Sequence, residues 1–137
     1  MVFLVIVLDT SFLVSFFLSS DVNHEKALNF AKKYKDEEIL LTDIILYETL
    51  TVLNYKKDID FCKEIYGELT SNRQIRLFSF SDAEISDILN LFFEQKKLKS
   101  KLSIQDISVI YLTNKTKSDL LCFDVGVISA IKSLRTL

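Results

Sequence analysis

The sequence predicts an α/β fold with a mostly parallel sheet covered by helices on both faces. Short apolar runs rich in Val, Ile and Leu alternate with longer helix-forming segments, the arrangement that builds parallel sheets. The first run is apolar throughout, as in a strand buried on both faces. The runs give way to Asp, Thr or Ser, residue types that cap helices.

VFLVIVL, residues 2–8, is the expected first strand, and Asp9-Thr10-Ser11 starts a short buried helix over 12–18. A polar-faced helix follows over 24–35. A strand over 39–41 leads through Thr42-Asp43 into a helix reaching about residue 54. Another helix covers 60–71, and a strand covers 76–80. Ser81-Asp82-Ala83-Glu84 reads as a capping box that opens a helix to about residue 95. A basic loop over 96–101 precedes an apolar helix over 103–115. LLCF over 120–123 is a strand, 125–132 is a helix, and a last short strand is expected near 134–137. No linker or repeat divides the chain, so residues 1–137 are expected to form one domain.

Apolar residues make up 49% of the chain, ample for a core. Its 17 basic and 19 acidic residues leave a net charge of −2. That balance excludes a whole-protein electrostatic grip on nucleic acid, so a polyanion must be held by a local patch. The single histidine, His24, excludes a His-rich zinc site, and the two glycines exclude a glycine-rich phosphate loop. Cys62 and Cys122 lie far apart in apolar settings, as reduced thiols of a cytoplasmic protein do. The opening stretch lacks the basic start and cleavage site of a signal peptide. A central Asp9 would cost a membrane span roughly 2.5–3.5 kcal/mol, so a strand and a helix are expected there.

Four carboxylates stand among apolar residues. Asp9 is the one charge between Val2 and Ser20, at the end of the first strand. Glu48, in TDIILYETLTVL, shares a helix face with Ile44, Ile45 and Val52. Asp106 lies one turn into the helix LSIQDISVIYL, and Asp124 ends the strand LLCF. Strand-end residues of a parallel sheet meet at one edge, where such folds place ligand sites. Each acid also has a plainer role. Asp9 and Asp124 fit as helix caps, Asp106 fits a capping box with Ser103, and Glu48 would need a buried Arg or Lys. A cap and a ligand can be the same residue. Clustered buried carboxylates repel one another, and a divalent cation removes the repulsion. Carboxylates without histidine suit Mg²⁺ or Mn²⁺ rather than zinc, and such ions commonly meet phosphate oxygens.

The order and context of these four segments resemble the PIN-domain family of nucleases, and especially its short VapC-like toxin branch. VIVLDTSFL resembles the opening strand and first aspartate, with Ser11 as the small polar helper. TDIILYETLTVL resembles the helix that bears the glutamate. KLSIQDISVIYL and LLCFDVGV resemble the third and fourth acidic segments. The chain departs from the pattern at Cys122, where Thr or Ser is usual, at Ile107, and at Val125-Gly126. The resemblance spans essentially the whole chain. It implies a three-layer α/β/α sandwich with a central sheet of four to five strands, and Mg²⁺- or Mn²⁺-dependent endonucleolytic cleavage of RNA. Asp9, Glu48 and Asp106 would be the main metal ligands, directly or through water, Asp124 would hold a second ion or orient water, and Ser11 would hold Asp9 or the water in place. It also implies a homodimer and an antitoxin partner.

RNA approaching an acidic pocket needs positive charge nearby. Lys96, Lys97, Lys99 and Lys101 form the densest basic run, and a solvated loop is the plainer reading of them. The apolar residues 12–17 suit either an interface or the core. Two competing functions remain open at this level. One is an RNA-binding or scaffolding module with little catalysis. The other is a receiver- or phosphatase-like domain using Asp9 as nucleophile.

Overall fold

The structure is a computed structural model that describes residues 4–134. The last strand expected near 134–137 lies outside the described residues, except for Leu134, which caps the final helix. The elements run β1 (Val5–Leu8), α1 (Thr10–Phe17), α2 (His24–Lys33), β2 (Glu38–Thr42), α3 (Asp43–Lys56), α4 (Ile59–Ser71), β3 (Ile75–Phe78), α5 (Asp82–Lys97), α6 (Ile104–Thr116), β4 (Asp119–Leu121) and α7 (Val125–Ser133).

The four described strands form one all-parallel sheet in the order β3-β2-β1-β4. Helices flank the sheet in an α/β/α sandwich, as expected. Helices α1 to α4 pack among themselves, as do α5 to α7, and α3 touches α6. The central strands are the apolar ones: Ile6, Val7, Leu40 and Leu41 are buried. Edge strand β3 exposes Arg76, which pairs with Glu38 at 3.2 Å. From Val5 to Phe17 the apolar opening run is thus a core strand and a core helix. Among the described residues, no helix is long and apolar enough to cross a membrane.

The chain leaves β1 for β2 on one side, and later returns to place β4 on the other side of β1. The strand order therefore reverses between β1 and β4. Open α/β sheets leave a crevice beyond the strand ends at such a point. Asp9 follows β1 directly, and Asp124 lies just beyond β4, with Leu8 in register with Leu121.

Several ends differ from the sequence expectation. Lys96 and Lys97 belong to the last turn of α5, not to a loop. Nothing in that stretch breaks a helix, and basic side chains favour the helix C-terminus. The chain turns only at Lys99, at φ 59°. Helix α3 runs on to Lys56, and α4 starts at Ile59 because Asp58 caps it, accepting from Phe61 N–H at 2.8 Å. The apolar face of α1 belongs largely to the core. Phe12 is buried and stacks on Phe16 and Phe123, while Phe16 and Phe17 are half-buried.

Candidate active site

All four predicted carboxylates line one open cavity of about 420 Å³ at the β1/β4 crevice, together with Ser11, Asp21, Asn23, Val52, Lys56 and Phe123. Asp9 is brought there by β1 and caps α1. It is only 4% exposed. Its Oδ2 accepts from Ser11 N–H at 3.1 Å, from the Ser11 hydroxyl at 2.6 Å and from the Cys122 thiol at 3.3 Å. Its backbone N–H donates to Leu121 O at 3.1 Å, stitching the end of β1 to β4. Ser11 is held in turn, because its Oγ accepts from Phe123 N–H at 2.9 Å. The expected helper therefore has a defined geometry: its hydroxyl donates a hydrogen bond to Asp9 and accepts one from the loop after β4.

Asp106 forms the capping box of α6. Its Oδ2 accepts from Ser103 N–H at 2.9 Å, and its own N–H donates to Ser103 Oγ at 3.0 Å. Asp124 caps α7, with Oδ1 accepting from Val127 N–H at 3.2 Å. A Cβ on Gly126 would meet that oxygen at 3.2 Å, so the glycine leaves the carboxylate room. The helix-cap roles are thus real. Each occupies one oxygen, and Oδ1 of Asp9, Oδ1 of Asp106 and Oδ2 of Asp124 accept no bond from a described residue. Thr113 Oγ1 is the one fully buried side-chain polar atom without a partner among the described residues. The free oxygen of buried Asp9 is therefore open to the cavity.

Glu48 is half-buried on α3. The buried Arg or Lys that its plainer reading needed is absent among the described residues, whose ion pairs are Arg76–Glu38 and Lys115–Glu84. Burial pushes the Glu48 carboxyl above its ordinary value, and the charges of Asp9 and Asp106 add to the rise. The Thr10 hydroxyl opposes it. Burial also raises Asp106 against its Ser103 bonds, with further repulsion from Asp124 and Asp9. These shifts describe carboxylates that meet across a common space with too little positive charge.

The donor set is all oxygen, which suits Mg²⁺ or Mn²⁺ and not zinc. Among the described residues, no three acidic, His or Cys side chains are grouped closely enough to form a ready-made cation cage. A hydrated ion would reach some of these carboxylates through water.

Cys122 is tied to both strand-end aspartates. It donates to Asp9, and its sulfur accepts from Asp124 N–H at 3.3 Å. Burial, then the charge of Asp9, pushes the thiol up to about 12. It remains a protonated donor beside Asp9.

Among the wall residues that sequence reasoning missed are Asp21, Asn23 and Lys56. Asp21 accepts from Ser15 Oγ and from Asn23 N–H, both at 2.8 Å, which fixes the loop after α1 against the cavity. Asn23 and Asp21 carried no signal in a polar loop. Lys56 lies beyond the helix end that the sequence predicts near residue 54. The predicted lysines 96, 97, 99 and 101 do not line the cavity. Lys96 donates to Ser100 O at 3.0 Å and lies over the Phe92 ring.

Comparison with known proteins accords with the fold. Residues 6–131 match the family model of the PIN domain. The fold is similar to Mycobacterium tuberculosis VapC20, described as a sarcin-ricin loop cleaving toxin. That match has a TM-score of 0.80 and 17% identity, and covers 91% of this chain and 94% of that one. A chain of VapBC2 from Rickettsia felis, solved bound to a DNA fragment from their promoter, matches with a TM-score of 0.69 and 15% identity over 95% of each chain. FitAcB from Neisseria gonorrhoeae matches with a TM-score of 0.68 and 13% identity over 93% of each chain. No curated protein sequence matches the chain. The family match covers nearly all of the sheet and its helices, and so the chain belongs to the PIN domain family.

Proposed function

We propose that this protein is a Mg²⁺- or Mn²⁺-dependent endoribonuclease and the toxin of a toxin–antitoxin pair. One observation carries the reading. Three aspartates from separate elements each leave one oxygen without a protein partner, and Glu48 joins them around one open cavity. Asp9, Glu48 and Asp106 would hold the ion, directly or through water, and Asp124 would hold a second ion or orient a water. A bound ion of this kind acidifies water and neutralises charge on a phosphodiester.

The chain's own residues do the rest. Ser11 and Cys122 lock one oxygen of Asp9 so that the other keeps a fixed direction. Ser103 does the same for Asp106. Asp124, the most exposed of the four, would do its part from the cavity mouth. No nucleophilic side chain is required, and the products would carry a 5′-phosphate. The fold shared with VapC20 and with the VapBC2 chain supports the toxin role and a separate antitoxin chain as partner. A homodimer, acting in the cytoplasm, belongs to the same proposal.

The test is incubation of a mixed pool of end-labelled RNAs with Mn²⁺, with Mg²⁺ and with EDTA. Metal-dependent products with 5′-phosphate ends support the reading. Folded, partner-free protein that leaves every RNA intact would turn the weight to a binding module.

A further inference from the structure

Among the described residues that line the acid cavity, Lys56 is the one cation. Glu48, Val52 and Lys56 follow at i, i+4 and i+8 along α3, and all three line the cavity. At the helical rise, the Cα of Lys56 stands about 12 Å along the axis from that of Glu48. Lys56 is exposed in the last turn, at the rim. Five carboxylates, Asp9, Asp21, Glu48, Asp106 and Asp124, line the same cavity, yet Lys56 forms no ion pair with a described residue. Its neighbour Lys57 is differently engaged, with its ammonium 4.5 Å from the centroid of the Phe61 ring.

This separation has a chemical use. A polyanion brought to a carboxylate site is repelled by every carboxylate that is not screened. A lysine touching the carboxylates would be neutralised by them. A lysine at the rim keeps its charge for a ligand that enters the cavity. We propose that Lys56 is the phosphate anchor of this site: it binds a backbone phosphate of a single-stranded RNA next to the one held over the four carboxylates. The inference rests on the nuclease reading above and adds a substrate-binding residue to it.

The test is cleavage kinetics on a labelled RNA at several salt concentrations, with Lys56→Ala, Lys56→Arg and Lys57→Ala. Lys56→Ala is expected to raise KM about tenfold while kcat stays within about twofold, because one charge-assisted contact is lost away from the reacting atoms. The slope of log(kcat/KM) against log salt should flatten by about 0.7, the counterion yield of one phosphate contact on a single strand. Lys56→Arg should keep most of the affinity. Lys57→Ala, with the same loss of charge, should behave as wild type. An unchanged KM in Lys56→Ala would overturn the anchor alone, and so would an equal effect in Lys57→Ala. A wild type that cuts no RNA would remove the nuclease reading, and the anchor with it.

Discussion

The Cys122 thiol donates to Asp9 Oδ2 across 3.3 Å, and its sulfur accepts from Asp124 N–H at 3.3 Å. One side chain thus ties together the two aspartates that follow β1 and β4. A thiol is a weaker donor than a hydroxyl, but here burial keeps it protonated. Cys122→Ser should therefore preserve Mn²⁺ affinity. Cys122→Ala should lower it by about tenfold, the scale of losing a group that orients a ligand. Isothermal titration with Mn²⁺ measures both. Because the thiol is pushed up to about 12, Cys122 should also resist iodoacetamide at pH 8, where an ordinary thiol reacts readily.

Glu48 and Asp106 both have carboxyls raised above their ordinary values of 4.5 and 3.8, chiefly by burial. The folded state then holds these protons more tightly than the unfolded state. Without metal, their contribution to stability is most favourable in acid and declines as pH rises from those values through the raised folded ones. Glu48→Gln should accordingly raise the Tm of metal-free protein at pH 7, and change it little once the pH falls below 4.5, the ordinary value of a glutamate. Thermal unfolding in EDTA at both pH values checks this. A lower Tm for Glu48→Gln at pH 7 would mean that the carboxylate is held by cations not seen around it.

Two capping boxes provide a matched pair. Ser81 and Ser103 each cap a helix and bond its third residue, Glu84 and Asp106 respectively. Replacing either serine with Ala should cost about 1 kcal/mol in stability. Only Ser103→Ala should also reduce RNA cleavage, because Asp106 lines the cavity and Glu84 does not. Urea denaturation paired with the cleavage assay separates the two effects.

Much of this was legible in the chain because local chemistry and global position agreed. A carboxylate after an apolar strand is a helix cap by local rules, and parallel strands bring such caps to one edge by topology. Asp9 and Asp124 follow from that, while Glu48 and Asp106 stand out as acids one to two turns into apolar helices. What the sequence hid depends on contacts across the chain. Nothing local says that the thiol of Cys122 points at Asp9, 3.3 Å away. Lys56 looks like any lysine near a helix end until α3 is aimed along the cavity. The conspicuous run of lysines from 96 to 101 lies off the cavity lining for the converse reason. Its density in sequence carries no information about which way α5 ends.

The central claim is that the four carboxylates hold a divalent cation, and Mn²⁺ binding tests it most directly. Electron paramagnetic resonance can count bound Mn²⁺ on wild type and on Asp9→Asn, with folding of both verified by circular dichroism. The account predicts at least one bound ion on the wild type, displaced by Mg²⁺, and a marked loss of affinity in Asp9→Asn. Equal binding by both proteins, or none by the wild type, would contradict it.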